Sequence, residues 1–151
     1  MKTFLGFFTV AIALAADSAP YKQITDKQLT DKGQELHGKM QAGLASEVLG
    51  DWGNHQVVAA HREATGQAEY HENQADVIVV RKGAGSMVIG GKVVNGKTTA
   101  PGEIRGEKID GGQTIELKPG DVIHIAPKTP HMVVLKKGQK IDYIALKVDA
   151  K

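Results

Sequence analysis

The residues best suited to chemistry lie in one short stretch, residues 66–83, with the sequence GQAEYHENQADVIVVRKG. Glu69, His71 and Asp76 precede an apolar run, VIVV, that is typical of a strand entering a core. Buried charges are costly unless another group compensates them. A divalent cation compensates several at once, and imidazole nitrogen with carboxylate oxygen suits manganese, iron, zinc or nickel. The stretch therefore predicts a site for one of these four metals at the start of a strand.

Side-chain direction in a strand determines which of these groups can act together. Because successive side chains alternate between the two faces, Glu69 and His71 share one face, whereas Glu72 points to the other. We interpret residues 72–75 as a turn. If a hairpin closes there, Asp76 returns to a position beside His71.

A second segment, LKPGDVIHIAPKTPHMVV (117–134), supplies another imidazole. His131 follows a proline-marked turn and begins an apolar strand. Two imidazoles and two carboxylates neutralise a divalent cation and leave coordination positions for water or substrate. His71, His131 and one carboxylate would match the facial triad of non-haem iron chemistry. In the alternative interpretation, Glu69 and Asp76 are solvated rim residues and the histidines are hydrogen-bonded fillers.

Strands are the main elements that must position these groups. From about residue 55, short runs rich in Val and Ile are divided by glycine or polar breaks, which predicts an antiparallel all-β sandwich or barrel. The polar, glycine-rich segment 95–112 is predicted to be a loop between two halves of the sheet. One helix is predicted near 26–42, with Thr25 or Asp26 as its N-cap and Gly43 as its stop.

The first segment resembles the first sequence motif of the cupin superfamily, which has the form G-x5-H-x-H-x3–4-E-x6-G. Glu69 and His71 stand at the two histidine positions, Asp76 at the glutamate position and Gly83 at the final glycine. Gly66 lies closer to Glu69 than the family spacing asks. The spacing is thus largely kept, while a glutamate replaces a histidine and an aspartate replaces a glutamate.

The second segment resembles the second cupin motif, G-x5-P-x-G-x2-H-x3-N. Gly120, Pro127 and His131 keep the family spacing. Lys128 stands in place of the glycine and Leu135 in place of the asparagine. Together the two motifs extend the resemblance over nearly all of the predicted β region.

The resemblance implies an antiparallel jelly-roll or cupin β-barrel in which Glu69, His71, Asp76 and His131 are the metal positions. It also implies a small-molecule ligand or substrate and a homodimer. The implied chemistry spans dioxygen cleavage, isomerisation, decarboxylation and lyase reactions. The alternative is a non-catalytic barrel module that holds a metal or a small polar ligand, since fold alone does not determine activity.

Two further residues are candidates for ligand binding. The charged segment 101–108, PGEIRGEK, could fold over the cavity so that Arg105 holds an anionic ligand. Otherwise the segment is a solvated strand edge. His124, on the predicted strand DVIHIA, could line the cavity or be an ordinary strand residue.

Three other basic residues lie on the predicted first strand and helix. On the first long strand, one of His61 and Arg62 must point inward, and a buried one needs a partner such as Glu63 or Glu69. His37, on the predicted helix, is expected at the surface.

Residues 1–16 have the pattern of a secretory signal peptide: an early lysine, a short apolar run and small residues, with cleavage after Ala15 or Ala16. The alternative is an uncleaved anchor. This pattern predicts a secreted or periplasmic protein with no membrane span after cleavage. We expect residues 17–50 to form an N-terminal extension with the helix and residues 51–151 to form the β-barrel domain.

Composition limits the domain count, the possible partners and the means of stabilisation. The chain has 151 residues, of which 41% are hydrophobic and 24% charged, as in a single globular domain. A formal charge of +2 gives no reason to expect nucleic-acid binding. Because the chain has no cysteine, packing, a metal or a partner subunit must stabilise it without disulfides.

Overall fold

The computed structural model describes residues 20–150, so the predicted signal peptide lies outside the described residues. The described part is one helix and a set of antiparallel strands, which confirms the all-β prediction with one short helix. The elements are α1 (Asp26–His37), β1 (Leu44–Asp51), β2 (His55–Arg62), β3 (Ala68–His71), β4 (Gln74–Gly83), β5 (Gly85–Ile89), β6 (Lys92–Val94), β7 (Lys97–Ala100), β8 (Glu103–Gly106), β9 (Lys108–Asp110), β10 (Gln113–Leu117), β11 (Val122–Ile125), β12 (His131–Val134) and β13 (Ile141–Asp149).

Two large sheets enclose the main core. One has five strands in the order β1-β2-β13-β4-β11, and the other has six in the order β10-β5-β12-β3-β8-β7. Fully buried side chains from both sheets form one cluster, with Val80 and Ile141 from the first sheet and Met87 and Leu117 from the second. The space between the sheets is therefore the apolar interior, and polar groups that point into it need partners.

The helix begins as predicted but ends earlier. Thr25 is the N-cap and forms a capping box with Gln28. The helix ends at His37 because the backbone N–H of Gly38 caps the last turn, whereas Gly43 lies beyond the helix at φ +78°. The predicted extent of 26–42 is therefore too long, since Gly38 ends the helix first. Within residues 20–150, no helix is long and apolar enough to cross a bilayer.

Helix α1 packs on the outer face of the five-stranded sheet. Its buried Leu36 contacts a small cluster formed by Ala45, Ala59 and Ile144. Ala45 belongs to β1, which pairs along its length with β2. The sheet thus begins at Leu44, inside the segment 17–50 that the sequence assigns to an N-terminal extension.

The segment 95–112 is not a loop, which corrects the sequence prediction. It contains β7, β8 and β9, and β8 pairs with β3 so that Glu69 lies opposite Arg105 and His71 opposite Glu103. The polar composition reflects a position near the edge of the six-stranded sheet, where backbone pairing does not require an apolar sequence. The strand β8 thereby becomes a wall of the site.

Candidate metal centre

The four predicted metal residues converge between the two sheets. Glu69 and His71 lie on β3, and His131 begins the neighbouring strand β12, directly opposite Glu69. Asp76 lies on β4, in the opposite sheet. The hairpin expected between β3 and β4 does not form, because the two strands belong to different sheets. Asp76 meets His71 across the interior instead.

Short distances join these four side chains. The Nε2 atoms of His71 and His131 lie 3.3 and 3.4 Å from Oδ2 of Asp76. Nε2 of His71 lies 3.6 Å from Oε2 of Glu69. One ligand atom each from Glu69, His71 and His131 lies within 4.8 Å of the other two. Both histidines are buried, so the two imidazoles and the acidic oxygens share one enclosed spot.

The Nδ1 atoms of both imidazoles, which point away from the cluster, are hydrogen-bonded to neighbouring residues. Nδ1 of His71 lies 2.6 Å from a carboxylate oxygen of Glu103, and Nδ1 of His131 lies 3.1 Å from the carbonyl oxygen of Thr129. Each Nδ1–H donates to its oxygen, which directs the Nε2 atom into the interior. Metal-binding histidines in proteins are commonly oriented in this way. The donor set of two imidazoles and a carboxylate therefore fits a divalent transition metal.

Lys147, which the sequence reasoning missed, reaches the same spot from β13. Its Nζ atom lies 3.0 and 3.1 Å from the two carboxylate oxygens of Asp76 and 3.3 Å from Nε2 of His71. Lys147 follows the buried Tyr143 and Ala145 at two-residue spacing, so strand alternation is the signal that points it inward. Because Asp76 is paired with this ammonium, Glu69, His71 and His131 are the side chains best placed to hold a metal.

The charges of the cluster shift its pKa values. Burial alone would lower the pKa of His71, but hydrogen bonds to Asp76 and Glu69 raise it to about 9. Burial alone would raise the pKa of Glu69, but His71 and the Arg105 guanidinium lower it to about 2. In the same way, His131, His71 and Lys147 outweigh burial and hold the pKa of Asp76 well below its usual range. At neutral pH the cluster thus has two carboxylates, a protonated His71 and an ammonium.

A cavity of about 600 Å³ opens beside this cluster. Arg62, Arg105 and Tyr143 line it together with apolar side chains such as Met87. Only 6% of Arg62 is exposed, and within residues 20–150 its Nε atom is a buried nitrogen without a hydrogen-bond partner. Burial raises the pKa of Tyr143, so its hydroxyl stays protonated at neutral pH. The cavity therefore offers hydrogen-bond donors to an acceptor-rich molecule.

The two predicted ligand-binding residues have different positions. Arg105 lines the cavity, where its guanidinium lies 3.4 Å from Glu69 and 3.2 Å from Glu103. His124 is exposed, because on β11 Ile123 and Ile125 pack into the core and the intervening side chain must point outward. His124 therefore does not line the cavity, which corrects its predicted ligand role. Glu72 is also exposed, as strand alternation predicted.

Substitution of Glu103 by glutamine should weaken metal binding without removing a ligand. The neutral amide no longer fixes the His71 tautomer as a carboxylate does, and loss of such outer partners costs about 10–100-fold in metal affinity. Competition titration with a chromophoric chelator measures the change. Glu107→Gln is the matched control, because Glu107 is exposed and hydrogen-bonds Asn95 instead. Equal affinities in both variants would show that Glu103 does not support a metal ligand.

The comparisons with known proteins agree with this architecture. No protein-family model and no curated protein matches the chain. Among solved structures, KdgF from Halomonas sp. superposes with a TM-score of 0.54 at 16% identity, over 74% of this chain and 85% of that one. The polyketide cyclase RemF from Streptomyces resistomycificus gives 0.51 at 17% identity, over 71% of this chain and 66% of that one.

A third solved structure is itself a cupin domain. Rru_A2000 from Rhodospirillum rubrum, a cupin-2 domain, superposes with a TM-score of 0.53 at 12% identity, over 72% of this chain and 63% of that one. The chain thus spans about two thirds of the length of RemF and of Rru_A2000. These similarities confirm the cupin fold that the two sequence motifs implied.

Proposed function

We propose that this cupin holds one divalent transition metal between Glu69, His71 and His131 and acts on a small, acceptor-rich molecule in the adjacent cavity. The observation that carries the proposal is the pair of buried imidazoles whose Nδ1 atoms are fixed by Glu103 and Thr129. That arrangement directs two nitrogen donors and the Glu69 carboxylate to one spot beside an open cavity.

The chemistry follows from the side chains around that spot. A bound metal would supply a Lewis acid that polarises an oxygen of the ligand. With a pKa of about 2, Glu69 is a poor proton acceptor at neutral pH and is better suited to binding the metal than to serving as a general base. Arg62 and Arg105 can bind an anionic oxygen of the ligand and orient it. These roles suit isomerase, lyase or oxygenase chemistry.

A metal assay followed by an activity screen tests this function. The protein is purified without chelator, and its manganese, iron, zinc and nickel contents are determined. We expect one metal per chain at the central site, and a dioxygen-consumption screen then separates oxygenase from non-redox chemistry. A protein whose uptake of Mn²⁺, Fe²⁺, Zn²⁺ and Ni²⁺ is the same in His71→Ala as in the wild type would contradict the proposal.

Metal affinity should rise with pH well beyond the range expected for an ordinary histidine. The raised pKa means that His71 is protonated below about pH 9 and must lose its Nε2 proton before binding a metal. One displaced proton makes the affinity rise about tenfold per pH unit, up to that pKa. Competition titrations with Mn²⁺ at pH 6.5, 7.5 and 8.5 measure the slope. An affinity that is constant above pH 7 would show that His71 titrates normally.

Arg105→Ala should weaken the binding of a small carboxylate such as malonate by about 10–100-fold, because a charge-assisted hydrogen bond in the cavity is lost. Isothermal titration of the metal-loaded protein with malonate measures this. Arg81→Ala is the matched control, since Arg81 lies on β4 outside the cavity and pairs with Asp26. Unchanged malonate affinity in Arg105→Ala would remove Arg105 from the ligand site.

A non-catalytic binding module is the second candidate function, and Lys147 favours it. Its ammonium contacts Asp76 and His71, where it compensates the buried carboxylate in the way a cation would. In such a module the cavity would hold a small polar ligand with no metal. The metal that the wild-type protein binds and His71→Ala does not bind distinguishes the two functions.

Export and dimer formation also belong to the proposal. Export rests on the pattern of residues 1–16, and the mass of the mature protein would reveal cleavage after Ala15 or Ala16. The homodimer rests on the resemblance to cupins and on the open sheet edges. Light scattering would test it.

A further inference from the structure

A second group of histidine and carboxylate side chains lies on the outer face of the five-stranded sheet, beneath helix α1. His37 belongs to the last turn of α1, His61 to β2, and Glu63 follows β2. Nδ1 of His37 lies 2.8 Å from Oε1 of Glu63, and Nε2 of His61 lies 3.2 Å from the same oxygen. One ligand atom from each of the three residues lies within 4.8 Å of the other two. Strand alternation separates this group from the cavity, because Arg62 points inward and His61 outward.

The buried His61 is oriented as a metal ligand would be. Its Nδ1 atom hydrogen-bonds the carboxylate of Asp142, and this contact directs Nε2 towards Glu63 and His37. A carboxylate behind an imidazole is a common outer partner in metal sites. The central site has the same arrangement, with Glu103 behind His71.

The position of Gly33 independently indicates that Asp142 lies where helix α1 contacts the sheet. A Cβ atom at Gly33 would lie only 2.9 Å from Oδ2 of Asp142, so a larger residue would displace the carboxylate. A glycine inside a helix costs about 1 kcal/mol relative to alanine. The chain therefore carries an unfavourable helix residue where α1 meets the carboxylate that orients His61.

The distances also suit zinc. Bonds of 2.0–2.1 Å in tetrahedral geometry place neighbouring ligand atoms about 3.3 Å apart. The 3.2 Å between Nε2 of His61 and Oε1 of Glu63 matches this spacing, whereas the 2.8 Å from Nδ1 of His37 must lengthen when the ion replaces the hydrogen bond. A cavity of about 330 Å³, lined in part by His37, His61 and Asp142, adjoins the group and leaves room for water at a fourth position. Lys140 also contacts Glu63, at 2.6 Å, but its side chain is 53% exposed and can turn into solvent at little cost.

We propose that His37, His61 and Glu63 bind a Zn²⁺ ion that fastens helix α1 to the five-stranded sheet. Two imidazoles and one carboxylate form a recognised zinc ligand set. A helix as short as α1 is marginal by itself and depends on tertiary contacts. The ion ties its last turn to β2 on the side of the sheet opposite the cavity. This site is separate from the central metal and does not depend on it.

Isothermal titration with Zn²⁺ tests the site in the full chain. We expect two equivalents in the wild-type protein, and one in both His37→Ala and Glu63→Gln. His37 is exposed, so its truncation should not affect folding. His124→Ala, which removes an exposed histidine outside both groups, should keep two. Unchanged stoichiometry and affinity in His37→Ala would overturn the proposal.

The same titration separates this proposal from the central site. A wild-type protein that binds a single Zn²⁺, lost in His37→Ala, would support the helix site and contradict the central one. A single Zn²⁺ retained in both His37→Ala and Glu63→Gln would overturn the helix site. Amide hydrogen exchange supplies the second readout: Zn²⁺ should slow exchange across residues 26–37 in the wild type and not in His37→Ala. Zinc bound through His37 without slower exchange would overturn the fastening role.

Discussion

Alanine in place of His71 or His131 should abolish stoichiometric metal binding at the central site. Each substitution removes one of two imidazole donors, and the remaining carboxylates are shared with Lys147 and Arg105. Since loss of an outer partner alone costs about 10–100-fold in metal affinity, loss of a direct ligand should exceed that range. Mn²⁺ titration with a competing chelator measures the loss.

Both histidines are buried, so folding needs its own control. Far-ultraviolet circular dichroism and the thermal midpoint of each variant show whether the sheets remain intact. Gln in place of either histidine keeps a polar side chain of similar size and should give the same loss. His55→Ala, on a strand end away from the cavity, should bind Mn²⁺ as the wild type does. Folded His71→Ala and His131→Ala proteins with wild-type affinity would contradict the assigned ligands.

Methionine in place of Lys147 should destabilise the metal-free protein and strengthen metal binding. The Lys147 ammonium compensates Asp76, only 3% of which is exposed. Removing one partner of a buried ion pair costs up to about 3–5 kcal/mol when the other charge is left uncompensated, and we expect the lower part of that range here because the protonated His71 still contacts Asp76. A divalent cation at the same spot would again compensate Asp76, so saturating metal should restore much of the lost stability.

Urea denaturation with and without Mn²⁺ measures both effects. Lys118→Met serves as the control, because Lys118 is exposed after β10 and should change neither quantity. A Lys147→Met protein with wild-type stability without metal would show that the ion pair does not compensate Asp76. Weaker metal binding in that variant would show that Lys147 supports the metal rather than competing for its position.

The two motifs are sufficient to predict the four side chains Glu69, His71, Asp76 and His131 that the structure brings together. Glu69 and His71 share a face by strand alternation, which depends only on local backbone geometry. His131 was found because a proline-marked turn places it at the start of an apolar strand. The resemblance to cupins then joined two segments sixty residues apart, which neither segment alone could do.

What the sequence did not predict depends on pairing between distant strands. Asp76 lies beside His71 as predicted, but a contact between the two sheets brings them together, and the predicted hairpin was wrong. Lys147 and Glu103 join the cluster through β13 and β8, and no local pattern specifies those neighbours. The polar, glycine-rich composition of segment 95–112 predicts a loop because composition reports exposure more directly than backbone pairing. The helix end was misplaced because Gly38 and Gly43 both suit a helix stop.

The central claim is that one metal ion lies between Glu69, His71 and His131. Anomalous diffraction from crystals grown with Mn²⁺ or Zn²⁺, recorded at the absorption edge of the metal, tests it most directly. The account predicts an anomalous peak about 2.0–2.3 Å from the Nε2 atoms of both histidines and from a Glu69 oxygen. A metal-saturated crystal with no peak there, and with Lys147 still bonded to Asp76, would contradict it.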